Sequence, residues 1–140
     1  MICQSKCIVL DLDGTICPEK KPNESYADVV PYPHIVKLLR DYKAQGFYVI
    51  IATSRTMRTH EGNVGRILAT TAKITLDWLD RHDIPYDEIH FGKPWTGRGG
   101  FSVDDKAIRP DEFQRLRWDE ILRLLDESKA AMERSTLASK

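Results

Sequence analysis

The chain has 140 residues, with 21 basic and 21 acidic side chains that cancel at neutral pH. This length suits a single domain over residues 1–140. The balanced charge gives no support to a nucleic-acid-binding or membrane-surface role, and no apolar run approaches the roughly 18 residues of a membrane-spanning helix. The opening residues reach a charged strand end too early for a signal peptide, and three cysteines without metal-ligand spacing favour reduced thiols, so we expect a cytoplasmic protein.

The first predicted element is a short buried strand, Ile8 to Leu10, which ends at two carboxylates. Asp11 and Asp13 follow it directly, and Gly14 then turns the chain. Two carboxylates at one strand end repel each other unless a cation neutralises them or one holds a proton. The pattern therefore favours a metal site or an acid–base site, and the alternative is an ordinary Asp-rich turn after a strand.

A helix and a second strand follow. Residues 17–33 are rich in proline and predict a loop, which we consider a candidate lid. Helical spacing begins near Pro33 and ends at Gly46. The apolar run Phe47 to Ala52 predicts a second buried strand that delivers Thr53, Ser54 and Arg55 at its end.

The second half of the chain continues the alternation. Residues 64–81 keep helical spacing, and Glu88 to Phe91 predicts a third strand, followed by Gly92-Lys93-Pro94 and a glycine-rich loop. A short fourth strand, Phe101 to Val103, leads into Asp104 and Asp105. A turn or helix is expected at 110–113, and the apolar stripe of a last helix thins beyond Lys129, so residues 129–140 are expected to fray. The inner stripe of this last helix is predicted to consist of Trp118, Ile121, Leu122 and Leu125.

Strands that alternate with helices predict a doubly wound, Rossmann-like α/β fold, with a parallel sheet and helices on both faces. Ligands of such sheets bind beyond the carboxyl ends of the strands. Each polar residue at these ends has an ordinary explanation as a cap, turn or surface residue, but together they describe a site for a metal and a phosphate. These strand-end residues are Asp11, Asp13, Thr53, Lys93, Asp104 and Asp105.

The order of these motifs resembles the haloacid dehalogenase superfamily of phosphotransferases. The matching stretches span residues 7–113: Asp11-Leu-Asp13-Gly-Thr, Ala52-Thr-Ser-Arg55, Lys93-Pro94 and Val103-Asp-Asp105. The resemblance implies the haloacid dehalogenase-like fold, and the short connections leave no room for a large cap domain. The stretch from Phe91 to Trp95 further resembles small members associated with bacterial capsular or surface polysaccharide biosynthesis. Ser54 departs from the pattern, since many members have glycine there.

The resemblance assigns a role to each catalytic residue. Asp11 would be the nucleophile that forms an aspartyl-phosphate, and Asp13 the general acid and base. Thr53 would hydrogen-bond the phosphoryl group, and Lys93 would neutralise charge on the phosphate and on Asp11.

The resemblance also implies Mg²⁺ as cofactor, because Mg²⁺ prefers oxygen ligands. Its ligands would come from Asp11, from the backbone carbonyl of Asp13, and from Asp104 or Asp105. Substrate contacts would come from Ser54, Arg55, Trp95 and Arg98, of which Trp95 and Arg98 lie on the glycine-rich loop beyond Lys93.

The expected function is that of a Mg²⁺-dependent phosphatase, a phosphomonoesterase that acts on a small phosphorylated metabolite such as a sugar or polyol phosphate. Its partners would be that substrate and, because the site has no cap to cover it, a second copy in a homo-oligomer; no nucleic acid or membrane is expected. The alternatives are a receiver-like phospho-acceptor module without turnover and a hydrolase of the same superfamily that is not a phosphatase, such as a dehalogenase.

Overall fold

The computed structural model describes residues 6–138, so Cys3 lies outside the described residues. The chain divides into two compact units, residues 1–95 and residues 96–140. That the whole chain is one domain stays a prediction.

The first unit is built on a parallel sheet of three strands in the order β1-β2-β3. The strands are β1 (Cys7–Leu10), β2 (Tyr48–Thr53) and β3 (Glu88–Phe91). The register pairs Leu10 with Ile51 and Ile51 with Ile89, so the three carboxyl ends meet at one edge. The predicted α/β class is confirmed.

The helices of this unit are α1 (Pro33–Ala44), α2 (Val64–Thr70) and α3 (Ala72–Arg81). Proline suits the first turn of α1, because its missing N–H has no partner there. The single helix expected over 64–81 is two helices that meet at Thr71, whose hydroxyl lies 2.7 Å from that of Thr56.

The core lies between β2 and the helices. Alternate residues of β2 are buried, which matches one face of a strand turned to the core. Strand β1 departs from the prediction of a fully buried strand, because Val9 is 64% exposed while Leu10 is 8% exposed. The largest fully buried side chains include Trp78, Leu12, Ile16, Ile35 and Leu39.

Residues 17–33, which we call the strap, are fastened to the rest of the unit. Trp78 donates its indole N–H to the Val29 carbonyl at 2.7 Å, and Arg81 donates to the Ala27 carbonyl at 3.2 Å. The regular element of the strap is a 3-10 helix, Tyr26–Asp28, and turns alone join β2 to α2. Within residues 6–138, the connections after β1 and β2 therefore hold no large cap.

The second unit contains α4 (Pro110–Arg115) and α5 (Trp118–Ala138). The predicted fourth strand is wrong: residues 101–103 form no strand, and Phe101 and Val103 are more than four-fifths exposed. Three residues after a run of glycines carry too little apolar side chain to hold a strand by burial.

Helix α5 also differs from expectation. It has no buried residue in its length, so the predicted inner stripe is wrong. The helix extends to Ala138, and fraying of the tail stays a prediction. None of the helices described between residues 6 and 138 has the length and hydropathy of a membrane span.

Candidate active site

Three polar residues stand at the carboxyl ends of the three strands. Asp11 follows β1, Thr53 ends β2, and Lys93 lies just beyond β3. The N–H of Lys93 donates to the Thr53 carbonyl at 3.1 Å, which continues the pairing of β2 and β3 toward the site. Lys93 Nζ then lies 3.7 Å from Asp11 Oδ1. The sheet thus brings the predicted nucleophile and the predicted cation together.

Gly92 makes the turn that places Lys93. Its φ is +86°, a left-handed conformation that glycine adopts without a steric penalty. A Cβ at this position would lie 2.7 Å from Val64 Cγ2, so a larger residue would also push against α2. Both constraints favour glycine before the lysine.

Asp11 is only partly compensated. Burial raises the pKa of its carboxyl above the ordinary value, the Leu12 N–H and Lys93 act to lower it, and Asp13 raises it again. Its side chain is still 38% exposed. Such a carboxylate has room for a ligand and gains from a further positive charge.

Asp13 is held much more firmly, by Arg55. The guanidinium donates from Nη2 to Asp13 Oδ1 at 2.7 Å and from Nε to Oδ2 at 3.1 Å, a bidentate pair. The Arg55 side chain is 0% exposed, whereas that of Asp13 is 22% exposed. Arg55 is therefore buried against Asp13 and holds it, and a contact between Arg55 and a substrate stays a prediction.

Cys17 lies against this pair. Its Sγ is 3.6 Å from Asp13 Oδ1, and the Gly14 N–H donates to the Cys17 carbonyl at 2.7 Å to close the turn after β1. Burial, and next the charge of Asp13, raise the pKa of the Cys17 thiol to about 12. A raised pKa disfavours the thiolate, so the position of Cys17 fits packing better than nucleophilic chemistry.

Thr53 and Ser54 form hydrogen bonds within the protein. Thr53 is fully buried, and its Oγ1 accepts the N–H of Arg55 at 3.0 Å. Ser54 donates its hydroxyl to the Pro94 carbonyl at 3.2 Å, which ties the end of β2 to the segment after β3. Their contacts with phosphate and substrate stay predictions.

The remaining predicted residues lie at or beyond the boundary of the first unit. Trp95, its last residue, is 46% exposed, and Arg98, Asp104 and Asp105 belong to the second unit and are exposed. Among residues 6–138, no three His, Cys, Asp or Glu side chains are grouped to hold a metal ion. The metal role of Asp104 and Asp105 stays a prediction.

Sequence reasoning missed Tyr26. The Cζ of Arg55 lies 4.1 Å from the centroid of the Tyr26 ring, and Lys20 Nζ lies 5.5 Å from the same centroid. An aromatic residue inside a proline-rich loop next to the Asp pair was the available signal. Without the fold, nothing connected Tyr26 to Arg55.

Comparison with known proteins gives one strong match. A crystal structure of a protein from Vibrio cholerae, described only as a crystallographic target, is 44% identical and superposes with a TM-score of 0.83. The match covers 87% of this chain and 98% of the Vibrio chain. The chain belongs to the family of this Vibrio protein. No family model and no curated protein matches it.

Two other solved structures resemble this chain more distantly. One is a D,D-heptose 1,7-bisphosphate phosphatase from B. bronchiseptica complexed with magnesium and phosphate, at 17% identity and a TM-score of 0.46, covering 67% of this chain and 53% of its own. The other belongs to the Pnkp1/Rnl/Hen1 RNA repair complex, at 18% identity and a TM-score of 0.45, covering 79% of this chain and 29% of its own. Neither likeness is close enough to bear on the function of this chain.

Proposed function

We propose that the protein is a Mg²⁺-dependent phosphomonoesterase of haloacid dehalogenase type. The observation that carries the proposal is the difference in environment between two carboxylates at one edge of the sheet. Asp11 is partly exposed, with Lys93 Nζ 3.7 Å from its Oδ1. Asp13 forms an ion pair with the buried guanidinium of Arg55. One carboxylate is open to attack a ligand, and the other is fixed in orientation, as a nucleophile and a general acid require.

In the proposed reaction Asp11 attacks phosphorus, and the bond from phosphorus to the leaving oxygen breaks. Asp13 gives its proton to that oxygen as it departs, and then takes a proton from the water that hydrolyses the aspartyl-phosphate. Lys93 neutralises charge on the phosphate and on Asp11. The hydroxyl of Thr53 accepts the Arg55 N–H and keeps its own proton for a phosphoryl oxygen.

We propose Mg²⁺ as the cofactor, because it prefers oxygen donors such as those of Asp11 and the Asp13 backbone. Burial raises the pKa of Asp11, so a cation beside this carboxylate would favour its charged form. Asp11 and the backbone carbonyl of Asp13 would hold the ion, which would supply charge neutralisation at the phosphoryl group. The carboxylate of Asp13 itself is occupied by Arg55.

The finer proposals concern the substrate and its setting. We propose a small sugar or polyol phosphate of surface polysaccharide biosynthesis, a cytoplasmic enzyme, and a homo-oligomer in which a second subunit covers the open site. The short connections after β1 and β2 motivate the last point, because such reactions benefit from exclusion of water. A strictly monomeric mass of the active protein by light scattering would contradict it.

The test of the proposed function is a screen of phosphorylated metabolites and p-nitrophenyl phosphate, with Mg²⁺ and with EDTA. We expect phosphate release that requires Mg²⁺. Full activity in EDTA, or no hydrolysis of any phosphomonoester, would contradict the proposal.

A further inference from the structure

Arg55 occupies a position that is costly for a charge. Its side chain is 0% exposed, and an arginine cannot shed its proton to avoid the cost of desolvation. A buried guanidinium is retained only where its partners compensate it. The partners of Arg55 therefore indicate its use.

The main partner is Asp13, which Arg55 binds through both carboxylate oxygens, at 2.7 and 3.1 Å. A planar fork on two oxygens fixes the plane of the carboxyl group, which the single ammonium of a lysine does not do. A carboxylate has about four lone-pair sites, and the fork uses two of them. Since Asp13 is 22% exposed, it retains a face for proton transfer.

The fork is itself fixed from other directions. The Tyr26 ring lies over the guanidinium, with its centroid 4.1 Å from Cζ, and Arg55 Nη1 donates to Thr75 Oγ1 at 3.3 Å. Tyr26 belongs to the strap and Thr75 to α3. Two separate elements thus orient the arginine that orients Asp13.

We propose that Arg55 is a positioning residue that acts through Asp13, holding its carboxyl group in the orientation that delivers a proton to the leaving oxygen. This inference rests on the proposed function. In that step the bond between Asp11 and phosphorus forms, the bond between phosphorus and the leaving oxygen breaks, and the proton passes from Asp13 to that oxygen. Arg55 touches none of the reacting atoms.

The test compares two aryl phosphates of nearly equal size in Arg55→Lys. p-Nitrophenolate leaves without protonation, whereas phenolate is a stronger base and depends on the acid. We expect kcat/KM, which reports only the steps up to formation of the aspartyl-phosphate, to fall at least about tenfold more for phenyl phosphate than for p-nitrophenyl phosphate. Because both rates come from one preparation, a reduced folded fraction cancels in their ratio.

The matched control is Arg81→Lys, since Arg81 also fastens the strap, through the Ala27 carbonyl, without contacting Asp13. It should change both rates equally. In an Asp13→Asn background, adding Arg55→Lys should not change the ratio of the activities on phenyl phosphate and p-nitrophenyl phosphate. Thr75→Ala, which removes the hydrogen-bond partner of Arg55 Nη1, is a second variant. It should shift the ratio of the two rates in the same direction by a smaller amount.

Equal losses on both substrates in Arg55→Lys, or a further selective loss in the Asp13→Asn background, would overturn the inference. If Arg55→Lys does not fold, an unchanged ratio in Thr75→Ala overturns it. These outcomes require an active parent protein. A parent that hydrolyses neither ester with Mg²⁺ would instead refute the proposed function.

Discussion

The two ends of the parallel sheet use the same kinds of residue for different purposes. At the amino end, Asp87 accepts hydrogen bonds from Lys43 Nζ and from the Val49 N–H, the latter at 2.8 Å. At the carboxyl end, the one ion-pair partner of Asp11 among residues 6–138 is Lys93 Nζ, at 3.7 Å. Both oxygens of the first carboxylate accept hydrogen bonds from the protein, and the second carboxylate is left with room for a ligand.

The pKa directions follow this difference. At Asp87 burial acts to raise the pKa, but the hydrogen bonds from Lys43 and Val49 outweigh it and the net shift is downward. At Asp11 burial dominates, and the net shift is upward. A compensated carboxylate fastens strands together, whereas an undercompensated one at the ligand-binding edge is suited to chemistry.

The largest expected effect is that of Asp11→Asn, which removes the nucleophile. Phosphate release should fall by about 10³ or more, and Asp13→Asn should fall by about 10²–10⁴ on esters with poor leaving groups. Steady-state kinetics with Mg²⁺ measures both. Asp87→Asn, the same change at the other end of the sheet, is the control and should retain the parent kcat. If Asp11→Asn is as active as the parent, Asp11 at the carboxyl end of the sheet has no more catalytic importance than Asp87 at the amino end.

Lys93→Met should lower kcat by about 10²–10³, because it removes one donor aimed at developing charge. It should also change the pH profile. Lys93 acts to lower the pKa of Asp11, so its loss raises that pKa. Since attack needs the ionised carboxylate, activity should decline at a higher pH than in the parent as the solution is acidified. An acid limb that does not move would show that Lys93 does not act on Asp11.

Trp95→Ala and Arg98→Ala examine the loop beyond Lys93. If this loop recognises the leaving group, kcat/KM for the best natural substrate should fall at least about tenfold more than for p-nitrophenyl phosphate, equivalent to roughly 1.4 kcal/mol. Equal losses on both substrates would indicate a structural loop and would direct attention to the strap.

The smallest effect is expected for Asp87→Ala, at about 1–2 kcal/mol of unfolding free energy with kcat unchanged. Because the folded pKa of Asp87 lies below 3.8, its stabilisation is present above that pH and is lost as the pH falls through the folded value. Urea unfolding should therefore show the largest gap between parent and variant near neutrality. A gap that persists unchanged well below pH 3.8 would contradict this role.

The sequence predicts the three paired strands and α1 well, because their apolar patterns and the proline and glycine boundaries are local signals. It also places Asp11, Thr53 and Lys93 at one edge, since parallel strands end together. The fourth strand fails because Phe101 to Val103 is too short for its pattern to specify pairing. The role of Arg55 is invisible locally, because it depends on Tyr26 and Thr75, which are distant in sequence.

The central claim is that Asp11 is the nucleophile, and trapping its phosphoryl adduct tests it most directly. In Asp13→Asn, p-nitrophenyl phosphate can still phosphorylate Asp11, but the attack of water lacks its general base, so the adduct should accumulate. The variant is incubated with this ester and Mg²⁺, quenched in acid, digested and mapped by mass spectrometry. The account predicts a phosphoryl group on the peptide that carries Asp11, absent when Asp11→Asn is added. Release of p-nitrophenolate with no adduct there, or with the adduct on another residue, would contradict it.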